Sequence, residues 1–126
     1  MSAVLRDRLG HIKQAIGRIH ELLDGKTLAE VQDNWTVVLA VERCLEIVSE
    51  ASRHIPASVQ QTRPEIPWQQ VADLGNVLRH AYHRSSVMAL WDIYTQDLDA
   101  LEAAIDAMRA DLGGDDPSAP PAQPRS

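Results

Sequence analysis

The sequence predicts an all-α domain, an up-and-down bundle of four main helices. Three observations predict it. Apolar residues recur in steps of three and four over long stretches, no alternating strand pattern occurs, and capping or breaking residues fall between the stripes. The chain has 126 residues, 44% of them hydrophobic and 24% charged, enough for one domain with a real core.

In the first helix, Leu5, Leu9, Ile12, Ile16, Ile19 and Leu23 form one apolar face. Gly10 and Gly17 lie within it, where small residues would allow a second helix to approach closely. Gly25 is the expected stop. Thr27-Leu28-Ala29-Glu30 has capping-box spacing and starts a new helical turn, and Asp33-Asn34 recaps the main second helix. That helix runs from Trp35 to about His54, with Val38, Val41, Leu45, Val48 and Ala51 inward, and ends before Pro56. Residues 57 to 66 read as a loop. Pro67-Trp68 opens a third helix to about Tyr82, and Ser85 and Ser86 are N-cap candidates for the fourth. Val87, Trp91, Tyr94, Leu98, Leu101, Ile105, Met108 and Leu112 carry the fourth stripe. The expected domain is 1–112. Residues 113–126, rich in proline and without a large apolar residue, are expected to be a disordered tail.

Twelve Lys plus Arg stand against 18 Asp plus Glu, a net charge of -6. This argues against DNA or other long nucleic acid held by charge alone, though a local basic site remains open. Ten of the twelve cations are arginine, the better partner for a planar phosphate contact. The single cysteine, Cys44, has no intramolecular partner. Met1 to Gly10 holds no apolar signal region and no run is long enough to span a membrane, so the cytoplasm is the expected compartment.

The chemistry concentrates in Asn76-Val77-Leu78-Arg79-His80-Ala81-Tyr82-His83-Arg84. On one continuous helix, Asn76, His80 and Arg84 would be successive i, i+4 neighbours, and Arg79 and His83 another such pair. Leu74, Val77, Leu78 and Ala81 would face the core. One reading is phosphodiester chemistry without a metal. RNA supplies its own nucleophile in the 2′-OH, an imidazole moves the proton, and an arginine stabilises charge on the phosphoryl oxygens. Asn76 could orient the imidazole or bond a phosphate. The other reading is a solvated helix end, where cations suit the macrodipole. Two histidines among arginines with no cysteine nearby make a poor metal site, so no metal or cofactor is expected. On the second helix Arg43, Glu46, Glu50 and Arg53 have ion-pair spacing, and Glu50 could reach across to the His-rich helix in a supporting role.

Three patches resemble the minimal HEPN family, the HepT-like toxins encoded beside minimal nucleotidyltransferase antitoxins. Ala40 to Ala51 (AVERCLEIVSEA) is similar to the family's second-helix signature, and Pro64-Glu65-Ile66-Pro67-Trp68 to the start of its third helix. Asn76 through Tyr82, with Trp91 and Asp97-Leu98, are similar to its active-site helix and the helix that follows. The resemblance implies an all-α homodimer that cleaves RNA, often tRNA, without a metal. It also implies a cognate nucleotidyltransferase partner. By its motif, His80 is catalytic, Asn76 is the polar residue after the motif arginine, and Tyr82 is the candidate acceptor of AMP. His83 is a supporting residue. The motif arginine should precede Asn76, but Gly75 stands there. Arg79, Arg84, Arg63 or an arginine of a second subunit could supply the cation, with Arg84 on the better face of a continuous helix. Otherwise the domain is catalytically degenerate and binds a nucleotidyltransferase or a nucleotide.

Overall fold

The computed structural model describes residues 2–113, apart from the side chains of Ser2, His83 and Arg84; most of the expected tail lies outside the described residues. The order is α1 (Ser2–Leu23), α2 (Leu28–Gln32), α3 (Trp35–Ser52), α4 (Ala57–Gln60), α5 (Trp68–His80), α6 (His83–Asp92), a π-helical turn (Ile93–Asp97) and α7 (Leu98–Asp111). Among the described residues there is no strand. The four long elements are α1, α3, α5 and the continuous rod from α6 through α7. The protein is therefore the predicted all-α bundle, with α3 packed between α1 and α5 and with α7 against α1. Among the described residues no helix is long and apolar enough to cross a membrane.

The stripes become the core. Leu9, Ile12, Ile16, Ile19 and Leu23 of α1 are buried, as are Val38, Val41, Leu45, Val48 and Ala51 of α3 and Leu98, Leu101, Ile105 and Met108 of α7. Gly25, at φ 81°, takes the left-handed turn that ends α1, a conformation open to glycine at little steric cost. Gly10 and Gly17 serve no close crossing, because a Cβ added at either meets nothing within 4 Å. The capping box forms: Glu30 N donates to Thr27 Oγ1 at 3.2 Å and Thr27 N to Glu30 Oε1 at 2.9 Å. Asn34 caps α3 by accepting from Val37 N at 3.1 Å. The segment expected to be a loop contains the single turn α4. Trp68 Nε1 donates to the carbonyls of Gln60 and Arg63, fixing where α5 begins.

The third and fourth helices differ from expectation at their junction. α5 stops at His80, and Ala81 (ψ 146°) and Tyr82 (ψ 152°) are extended. α6 then starts at His83, two residues before the serines expected to cap it. Ser86 instead lies buried inside α6 and donates to Glu42 on α3. Val87 and Leu90 are buried beside it. These contacts seat α6 on α3, so the chain leaves α5 by a bend. Farther along the rod, Leu98 N reaches Ile93 O, an i to i−5 bond that defines the π turn. Thr95 Oγ1 donates to Trp91 O at 2.9 Å within it.

A candidate active site at the end of helix α5

α5 presents its polar edge at its C-terminal end. Asn76 and His80 are both exposed and lie one turn apart. Tyr82 follows in the extended linker and is 87% exposed. Arg79 is also exposed, but its side chain turns back along the helix, and its Nε donates to Gly75 O at 3.3 Å. Among the described residues no hydrogen bond joins Asn76, Arg79, His80 and Tyr82 to one another. Of the hydrophobic side expected of this helix, Leu78 is buried and Leu74 half-buried, while Val77 is 54% exposed.

The bend corrects two expectations. Arg84 does not continue the Asn76–His80 face, because it lies in the first turn of a different helix. The i, i+4 relation between Arg79 and His83 fails for the same reason. The side chains of His83 and Arg84 lie outside the described residues. Glu50 does not reach α5 either. Its exposed carboxylate lies 3.4 Å from Nε2 of His54 on the surface of α3. Of the expected ion-pair ladder only Arg43–Glu46 forms, at 3.3 Å. Arg63 is engaged elsewhere, 3.4 Å from Asp111 at the far end of α7.

Ser49 of α3 and Arg53, the residue that caps its C-terminus, do hydrogen-bond to α5. Ser49 Oγ donates to Ala72 O at 2.7 Å and accepts from Gly75 N at 3.1 Å. Arg53 places Nε and Nη2 on the same Ala72 carbonyl, at 3.0 and 2.8 Å. Gly75 is buried under this junction. A Cβ there would stand 3.4 Å from Ser49 Oγ and 3.8 Å from Arg79 Nη2. Sequence reasoning missed both residues. Ser49 sits beside an apolar stripe as any helical serine can, and Arg53 has the spacing of a same-helix ion-pair ladder.

A family model described as ribonuclease HepT-like matches residues 12–108. The chain belongs to that family. It is 33% identical over 104 residues to "Probable ribonuclease HepT" of Thermococcus cleftensis, covering 82% of this chain and 94% of that one. A protein of Methanocaldococcus jannaschii named "Putative RNase MJ1380" is 32% identical over 61% of this chain and 71% of its own. One from Caldanaerobacter subterraneus, "Putative RNase TTE0752", is 24% identical over 79% and 89%. No solved structure gives a significant match. The HepT-like match takes in all of α3, α5 and α6, so every candidate site residue lies within it.

Two other features of this HepT-like chain stand apart from the α5 edge. An apolar groove of about 360 Å³ is lined by residues including Leu45, Val48, Val71, Leu74, Ile93 and Leu101; none of Asn76, Arg79, His80 or Tyr82 lines it. His20, Asp99 and Glu102 bring ligand-type atoms within 4.8 Å of one another. His20 Nδ1 lies 3.1 Å from Asp24 Oδ1 and its Nε2 3.5 Å from Glu102 Oε1. The bond to Asp24 raises the imidazole pKa above its ordinary value, against a smaller opposing effect of burial. Tyr94 donates to Asp24 in turn, and burial followed by that bond pushes its phenol up to about 12. Lys13 lies 3.0 Å from Glu102 and 2.9 Å from Asp106. The imidazole faces these carboxylates, and together with Lys13 the group ties α1 to α7.

Proposed function

We propose that the protein is a HEPN-type endoribonuclease that cleaves RNA without a metal, and that it is the toxin half of a pair with a nucleotidyltransferase. The observation that carries this reading is the exposed Asn76–His80 edge at the end of α5, in a chain whose relatives are named as ribonucleases. The chemistry follows from the residues. The His80 imidazole accepts the 2′-OH proton of the substrate ribose, and the oxygen attacks the adjacent phosphorus. The bond to the 5′-oxygen breaks and that oxygen takes a proton, leaving a 2′,3′-cyclic phosphate and a 5′-hydroxyl. Asn76 donates its amide to a phosphoryl oxygen or holds the imidazole in one orientation. The acidic bulk of the protein favours a short, structured target over a long strand, and a tRNA loop fits that description. Tyr82, fully presented in the extended linker, is the acceptor open to AMP transfer by the partner. The active unit is a homodimer in the cytoplasm.

The test is cleavage of total tRNA in EDTA by protein purified without its partner. The wild type is expected to cut and His80→Ala to lose cleavage. Equal cleavage by the two would sink the assignment of His80. A folded wild type that does not cut would favour the second reading, to which Gly75 points: a degenerate domain that binds the nucleotidyltransferase or a nucleotide. Recovery of a stable complex with that partner would then be expected.

A further inference from the structure

We infer that Arg79, folded back over Gly75, is the phosphate-binding cation of this site, its guanidinium resting on the helix surface that Gly75 leaves bare. The inference deepens the ribonuclease reading and rests on it. Attack by the 2′-oxygen puts growing negative charge on the phosphoryl oxygens, and a planar guanidinium with free N–H groups is the side chain best shaped to take it. Three arginines whose side chains are described, Arg53, Arg63 and Arg79, differ in what they have left to give. Arg53 has spent Nε and Nη2 on Ala72 O. Arg63 is held at Asp111. Arg79 uses Nε alone, on Gly75 O, which leaves the four N–H groups of its two terminal nitrogens.

That single bond also sets the position of the fork. A long helical side chain leans toward the preceding turn, so residue 79 covers the surface over residue 75. With no side chain at Gly75, the Arg79 guanidinium lies there, its Nη2 3.8 Å from where a Cβ would stand. Ser49 Oγ lies 3.4 Å from the same Cβ position. Both are ordinary van der Waals distances, so a Cβ fits there; a longer side chain at 75 would compete with the guanidinium for the same surface. The cation therefore sits at the level of Gly75 and Asn76, one turn back from its own Cα. It is anchored before substrate arrives, so less side-chain freedom is lost on binding. An arginine placed at 75 would bring its own guanidinium to the same surface. Positions 75 and 79 are thus alternative sources of one charge.

The experiment exchanges them. Cleavage of tRNA in EDTA is measured for wild type, Arg79→Ala, Arg79→Lys, Gly75→Arg and the double variant Gly75→Arg/Arg79→Ala. Affinity is measured in parallel for a 2′-O-methyl RNA of the same sequence, which cannot be cut. Arg79→Ala is expected to lose about 100-fold in kcat, the scale of removing one charge-stabilising donor. Arg79→Lys should recover little, because an ammonium lacks the planar fork. The double variant should recover most of the loss, which a purely structural role for Arg79 would not allow. Wild-type rates in Arg79→Ala, with His80→Ala inactive, overturn the inference and leave the ribonuclease reading standing. If the wild type cuts nothing yet Arg79→Ala weakens RNA binding and the double variant restores it, the ribonuclease reading falls and the phosphate-binding role of Arg79 stands. Binding and cleavage both indifferent to Arg79 overturn the inference outright.

Discussion

Ser49 joins two helices through one hydroxyl, donating to Ala72 O and accepting from Gly75 N. Removing that hydroxyl leaves Gly75 N without its cross-helix partner and takes one of three side-chain donor atoms from Ala72 O. Ser49→Ala is therefore expected to cost about 1 kcal/mol, the net worth of an ordinary hydrogen bond, read as a lower urea midpoint with unchanged slope. The sequence made Asn76 and His80 legible because their relation is local, one helical turn. Ser49 and Gly75 stand 26 residues apart, and periodicity says nothing about which residues meet across a helix pair. Arg84 was misplaced for a related reason. Ala81 and Tyr82 carry no glycine or proline to announce a break. Their extended backbone is imposed from outside, by Ser86 on Glu42 and by burial of Val87 and Leu90. Local propensity gave way there to tertiary contact.

At the level of elements, the α1–α7 contact carries a pH dependence. His20 has its pKa raised above 6.5 in the folded protein, first by its bond to Asp24 and also by Glu102 and Asp99. The folded state thus holds the proton more tightly than the unfolded chain. The stabilisation is complete below about pH 6, under the unfolded value, and is lost as pH climbs through the raised folded value. Thermal melting at pH 6 and pH 8 should show the wild type losing more stability over that interval than His20→Gln. Superimposable pH dependences would rule the linkage out. The short helix α2 offers a second test. Thr27→Ala removes half of the capping box and should lower stability by about 1 kcal/mol in the same assay. That motif was readable because its partners are three residues apart. The pairing of His20 with Glu102 was not, since Glu102 comes from the other end of the chain.

For the whole molecule, the core and the site separate cleanly. Ile16, Leu45 and Ile105 are buried on three different helices, while Asn76, His80 and Tyr82 are exposed. Ile16→Ala should cost about 2–5 kcal/mol through lost burial and the cavity left behind. His80→Ala should leave the urea midpoint within about 0.5 kcal/mol of wild type and still abolish cleavage. If His80→Ala unfolded the protein as Ile16→Ala does, the histidine would be structural. The fold was legible at this scale because four apolar stripes of helical period admit few arrangements other than a bundle. The order in which the helices pack, α3 between α1 and α5, needed the structure, since every stripe is equally able to pack against every other.

The π turn between α6 and α7 gives the chain one residue of slack. Leu98 N bonds Ile93 O five residues back, so this turn accommodates a residue more than a regular helix would over the same stretch. Taking out exposed Gln96 lets the ladder close into an ordinary α-helix, with α6 and α7 keeping the faces they now bury. The same deletion inside α3, at Glu46 for example, would rotate everything downstream by about 100° and carry Val48 and Ala51 out of the core. A chain shorter by Gln96 should therefore melt cooperatively close to wild type, whereas one shorter by Glu46 should not fold. Relatives of differing length could share this bundle by gaining or losing a residue here and nowhere else along the rod.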